Sequence, residues 1–196
     1  MVQMMSVEDV LARLAEHRLM LDGITLSGGE ATLQTHFIVQ LFKAIKADAG
    51  LRHLSCFIDS NGQLGSSAWQ RLLPVTDGVL LDIKAIDTDL HQTLTGRSNQ
   101  RVLQSLKTLH QAGKLHELRY LVIPGFTDRS SEVHALAELV QSLGAETQVR
   151  LNAFQHHGVI GPAREWPKTS KNDIQVIARK LREQGLEQVI TPVVYV

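Results

Sequence analysis

Only one cysteine, Cys56, stands among the chain's 196 residues. A single thiol excludes an internal disulfide framework, and any all-cysteine site for zinc or an iron–sulfur cluster built from these residues alone. It fits a reducing, cytoplasmic setting. Net charge is lacking too: 20 Lys and Arg are matched by 20 Asp and Glu, so no basic field marks a nucleic-acid partner. No apolar run is long enough to span a bilayer, and no charged start with an apolar middle reads as a signal peptide. Repeats, low-complexity tracts and Pro/Gly-rich linkers are absent, so residues 1–196 read as one domain.

What is present is an alternation of helix-period stretches with short apolar runs. Ser6 is placed to cap a helix to about Arg18, with Asp9 at its third position and Val7, Val10, Leu11 and Leu14 on one face. Gly23–Leu26 then reads as a strand, and Gln34–Ala49 as a helix with the stripe Ile38, Leu41, Phe42 and Ile45. A strand at His53–Ile58 closes in the turn sequence Asp59-Ser60-Asn61-Gly62. A short helix around Ser67–Leu73 leads to the run Gly78–Lys84. Ser98 or Asn99 caps a helix to about Ala112, and Leu118–Ile123 is a strand. Ser130 or Ser131 starts a helix ending at Leu143-Gly144. Val149–Asn152 is a strand, Asn172–Gln184 a helix and Gln188–Tyr195 a last strand-like run. Such alternation predicts a parallel sheet with helices, either a β/α barrel or a doubly wound open sheet. Short strands with polar residues at their carboxyl ends favour the barrel.

Strand parity selects the chemistry. In Leu80-Leu81-Asp82-Ile83-Lys84, residues 82 and 84 share a face, as a structural ion pair or as part of a site. Asp59 shares a face with Phe57 and Ser55, and is either a turn cap or a site acid. Cys56 falls on the opposite face, which makes it a core side chain rather than a nucleophile. Ser27-Gly28-Gly29-Glu30 joins a strand to a helix; its glycines allow close backbone approach to a ligand, or merely a βα turn. It matches neither the dinucleotide nor the P-loop fingerprint. His156-His157, after the fifth strand, points in two directions and is poor bidentate metal geometry.

Five segments in order, residues 23–30, 58–62, 80–84, 94–99 and 119–128, resemble the glycyl-radical enzyme activases of the radical S-adenosylmethionine superfamily, the pyruvate formate-lyase-activating group above all. The resemblance implies an α/β fold, a partial TIM-like barrel of six β/α units. It also implies a [4Fe–4S] cluster on a CxxxCxxC motif, with S-adenosylmethionine chelated at the open iron. One electron from the reduced cluster cleaves the sulfonium, and the 5′-deoxyadenosyl radical takes hydrogen from a glycine of the partner enzyme. Gly28, Gly29 and Glu30 would then contact the methionyl amino group. Asp59 and Asp82 would lie at the barrel mouth, where a monovalent cation is a further expectation. Lys84 would neutralise the carboxylate, and Arg119 would add a polar contact. Where relatives place a histidine near the adenosine, this chain has Gln155 followed by His156.

No CxxxCxxC motif occurs in the chain, so the expectation is about five βα units of that barrel without its first strand and cluster loop, inactive by itself. The expected partners are a glycyl-radical enzyme resembling pyruvate formate-lyase and, for the parent protein, a flavodoxin-type reductant. An uncovered edge at Gly23–Leu26 predicts self-association to a dimer. The alternatives are a remnant that binds S-adenosylmethionine or the partner without catalysis, and an unrelated barrel enzyme using Asp82 and Lys84.

Overall fold

Six strands, β1 (Gly23–Leu26), β2 (Ser55–Ser60), β3 (Gly78–Ile83), β4 (Leu115–Val122), β5 (Val149–Ala153) and β6 (Val189–Ile190), lie in one sheet in chain order. Every neighbouring pair is parallel. The structure, a computed structural model, describes residues 4–144 and 146–193. Its α-helices are α1 (Val7–His17), α2 (Thr35–Ala47), α3 (Ser66–Leu72), α4 (Thr88–Thr95), α5 (Gln100–Gln111), α6 (Ser130–Leu143) and α7 (Lys171–Glu183).

Strand order decides between the two architectures. A doubly wound sheet reverses its order part-way and places helices on both faces. Here the order never reverses, so right-handed crossovers bring the connecting helices to one face. The fold is therefore of the partial-barrel kind, with β1 and β6 as the sheet edges.

Side-chain alternation explains where the core lies. Cys56 and Ile58, then Val79, Leu81 and Ile83, then Leu118, Tyr120 and Val122, then Val149 and Leu151 share one parity and are all fully buried. They join Ile38, Leu41, Phe42 and Ile45 of α2, and residues of α3, α5, α6 and α7, in one cluster; the predicted α1 face packs against it. Full burial of such a side chain contributes roughly 1.5–3 kcal/mol, well above the few tenths of a surface pair. The stripes, more than helix propensity, thus fix these helices. The capping box on α1 forms as expected: Asp9 N donates to Ser6 Oγ at 3.1 Å, and Ser6 N to Asp9 Oδ2 at 2.8 Å.

Several boundaries differ from the sequence reading. β2 starts at Ser55 and runs on through Asp59 and Ser60, so Asp59 is a strand residue. The turn beyond it is made by Ser60, whose Oγ accepts from Gly62 N, and Asn61, whose Oδ1 accepts from Gln63 N. β4 begins three residues early, at Leu115. Helix α4 was not predicted, because only His91 of its eight residues is buried and no apolar stripe exists. Its Asp87 cap and its left-handed Gly96 stop were the available signals. The last strand covers Val189–Ile190, and residues 194–195 of the predicted run lie outside the described residues.

Candidate functional site

The sheet face away from the helices carries the charge. Asp59 of β2, Asp82 of β3, Glu117 and Arg119 of β4, and Arg150 of β5 have the parity opposite to the core, and Lys84 follows β3 in the same phase. Register sets Asp82 beside Arg119, and Arg119 beside Arg150. Arg119 donates from Nε to Glu117 Oε1 at 2.7 Å and from Nη1 to Asp59 Oδ2 at 3.0 Å. Ser27 Oγ donates to the same Asp59 oxygen at 3.0 Å, and Arg150 Nε to Glu117 Oε2 at 2.8 Å. A chain of hydrogen bonds therefore runs from the end of β1 to β5. Burial opposes the charge on Arg119, but its bond to Glu117 and the carboxylates of Asp59, Glu117 and Asp82 outweigh it and raise its pKa. Beside this chain, Lys84 Nζ and Asp82 Oδ2 are 2.7 Å apart.

The loop 27–30 is positioned by its glutamate. Oε1 of Glu30 accepts from Thr32 Oγ1 at 2.5 Å and Ser60 Oγ at 2.9 Å, and Oε2 accepts from Asn61 N at 2.7 Å. This side chain caps the short 3₁₀ turn after the loop and ties it to the end of β2. What the loop offers a ligand is the backbone of Gly28 and Gly29, at φ 101° and 53°, with open space where a Cβ would stand.

The chain just past Lys84 is held from two sides. Asn99 Nδ2 donates to Ile86 O at 2.6 Å, while Glu132 of α6 accepts from the amides of Ile86 and Asp87. Tyr120 Oη donates to Thr127 O at 2.9 Å and lies 3.3 Å from Glu132 Oε1; burial, with the Glu132 charge, pushes its phenol far up. The segment 94–99 is thus a structural clasp on the β3 exit: His91, buried, bonds Arg97 O through Nδ1 at 2.8 Å.

The structure brings Gly28, Gly29, Asp59, Asp82, Lys84 and Arg119 to the carboxyl-end region of β1–β4, with Glu30 as the brace of the glycine loop. Gln155 and His156 follow the carboxyl end of β5 and bond to the segment beyond it. Gln155 Nε2 donates to Thr169 O at 3.1 Å, and His156 Nε2 lies 2.8 Å from Trp166 O. Cys56 is fully buried on the core side, and burial pushes its thiol up to about 11. Sequence reasoning missed Glu117 and Arg150. Starting β4 at Leu118 hid the Glu117/Arg119 alternation, whereas Arg150 stood between Val149 and Leu151 with its parity in plain view.

Among the described residues, no group of three or more His, Cys, Asp and Glu is gathered to hold a metal. With Cys56 alone and buried, this chain's residues do not fit a [4Fe–4S] cluster. A monovalent cation at Asp59 and Asp82 would compete with Arg119 and Lys84. The donor set does suit a zwitterion with a sulfonium: carboxylates, an ammonium, guanidinium groups and two approachable glycines.

Comparison with known proteins gives the class. The radical SAM superfamily model matches residues 2–140, and the chain belongs to that superfamily. It is 32% identical over 159 residues to the pyruvate formate-lyase 1-activating enzyme of Escherichia coli K12, covering 78% of this chain and 63% of that protein. With the pyruvate formate-lyase-activating enzyme of Streptococcus mutans it shares 40% identity over 124 residues, covering 62% of this chain and 47% of the relative. The chain thus spans about half to two thirds of these relatives' length. In fold it is similar to a domain of pyruvate-formate lyase-activating enzyme from Bacteroides vulgatus, with a TM-score of 0.69 and 20% identity, covering 87% of this chain and 98% of that one. It is also similar to Streptococcus suis SuiB bound to precursor peptide SuiA, with a TM-score of 0.73 and 16% identity, covering 97% of this chain and 43% of that one.

Proposed function

We propose that the chain, read as one domain, is the ligand-shaping wall of a glycyl-radical enzyme activase and binds S-adenosylmethionine on its polar face. The observation that carries this reading is the convergence of the Gly28–Gly29 loop with Asp59, Asp82, Lys84 and Arg119 at one end of the sheet. The names of the relatives support it. Gly28 and Gly29 lend backbone groups to the methionyl amino group, and Lys84 exchanges Asp82 for the methionyl carboxylate. Arg119, braced by Glu117, keeps Asp59 facing the ligand. Gln155 and His156 stand one loop further round, on the adenosine side. When bound, S-adenosylmethionine supplies the sulfonium from which the superfamily makes its radical. The reductive step requires a cluster that these residues do not hold, so this chain by itself binds without cleaving.

The whole protein's partner is a glycyl-radical enzyme of the pyruvate formate-lyase kind, with a flavodoxin-type reductant, in the cytoplasm. Among the described residues no helix is long and apolar enough to cross a membrane. Self-association through the β1 edge belongs to the same reading. Calorimetry with S-adenosylmethionine tests it: binding heat in the wild type, lost in Lys84→Ala, is expected. Heat equal to dilution overturns it. Incubation with iron and sulfide should leave no [4Fe–4S] absorption; a stable cluster spectrum would refute the inactive reading.

A further inference from the structure

Next to the glycine loop lies a second concavity, a cleft of about 440 Å³ whose walls include Glu30, Leu33, Leu64, Arg97 and Arg101. We infer that it is a docking surface for an acidic, extended segment of a protein partner. The inference rests on reading the chain as an activase that meets a protein, and adds the chemistry of the partner's surface.

Charge carries the argument. Arg97 and Arg101 are both exposed, and among the described residues no carboxylate pairs with either guanidinium. The acid in the cleft wall, Glu30, is spent on Thr32, Ser60 and Asn61. Two uncompensated positive charges therefore face one cleft in a chain with no net charge. The polar face next door differs, since Asp59, Asp82 and Glu117 each hold a cationic partner there. The cleft falls within the roughly 300–1,000 Å³ range of binding sites. Its apolar wall is accessible as well, because Leu33 is 83% exposed.

Position supplies the rest. Glu30 belongs both to the cleft wall and to the loop carrying Gly28 and Gly29. A segment lying in the cleft continues past Glu30 onto that loop, at about 3.3 Å per residue when extended. Acidic side chains meet the two arginines, an apolar one covers Leu33, and the chain is led toward the polar face. Such complementarity sets approach and register.

The test measures fluorescence anisotropy of a fluorescein-labelled peptide alternating glutamate and glycine around one leucine, titrated with the full chain at physiological ionic strength. The wild type should bind it and ignore the same peptide with lysine for glutamate. Arg97→Glu/Arg101→Glu should weaken binding about tenfold, and Arg97→Gln/Arg101→Gln should weaken it less. Arg52→Glu, changing an exposed arginine outside the cleft, should leave it intact. No binding by the wild type, an undiminished affinity in the double variants, or an equal loss in Arg52→Glu overturns the inference. Calorimetry with S-adenosylmethionine on the same samples keeps the two readings separate: Arg97→Glu/Arg101→Glu retains the wild-type result, whichever that is.

Discussion

Arg119 of β4 reaches over β3 to place Nη1 3.0 Å from Oδ2 of Asp59 on β2. The same guanidinium holds Glu117, whose side chain is only 4% exposed. One cation thus restrains carboxylates from two strands. The polar face is assembled before any ligand arrives, and Asp59 does not have to find its orientation on binding.

Removing Arg119 leaves Glu117 with Arg150 alone and Asp59 with Ser27. Asp59 and Arg119 are each 23% exposed, so solvent screens part of the loss, and Arg119→Ala should cost about 2 kcal/mol in urea unfolding. Asp59→Asn should cost less, since the amide oxygen still accepts from Arg119. The cycle of both changes should show about 1 kcal/mol of coupling. Strict additivity would mean that the contact contributes nothing to folding.

Much of this face was legible from parity, for a physical reason: a strand buried on one side must alternate. Asp82 and Lys84, read as sharing a face, form an ion pair, and Cys56 is buried on the opposite side. Contacts between distant segments were not legible. The bonds of Glu30 to Ser60 and Asn61 span some thirty residues of chain, and no local pattern announces them. Likewise the segment 94–99 was read as a family motif, while its work as a clasp on residues 85–86 depends on tertiary closure by Asn99. Helix α4 escaped because a polar helix leaves no periodic signal, only its cap and its stop.

Cys56 should be inert in the folded protein. Burial raises its pKa from 9.0 to about 11, Lys46 pulling the other way, so at pH 8 both access and thiolate are lacking. A disulfide reagent should label it only after denaturant is added. Because the folded pKa is the higher one, this thiol favours folding below pH 9 and loses that contribution as pH rises toward 11. Rapid labelling under native conditions would contradict the buried placement.

Asp77 should shape the acid limb of stability. Its burial works toward a raised pKa, but the hydrogen bond from Lys46, the Cys56 amide and the nearby charges prevail, and it lies below the usual 3.8. A depressed carboxyl stabilises above the unfolded pKa and loses that effect as pH falls through the folded one. Asp77→Asn should therefore flatten the fall in urea stability below about pH 4. An acid limb identical to the wild type would assign the fall to other carboxylates.

The glycines separate fold from function. Gly62 sits at φ 72°, and an added Cβ would come 2.8 Å from Leu81 Cδ1 and 3.1 Å from Val102 Cγ1. Gly62→Ala combines left-handed strain with overpacking and should cost about 3 kcal/mol. Gly28 and Gly29 have positive φ but no neighbour within 4 Å, so alanine at either should cost only about 1 kcal/mol. If their backbone lies along S-adenosylmethionine, the same mild substitutions should still weaken its binding, because the new methyl stands where the ligand approaches. Urea titration and calorimetry on the three variants measure both quantities. A Gly28→Ala protein with wild-type affinity would remove the glycine loop from the ligand site while leaving its fold intact.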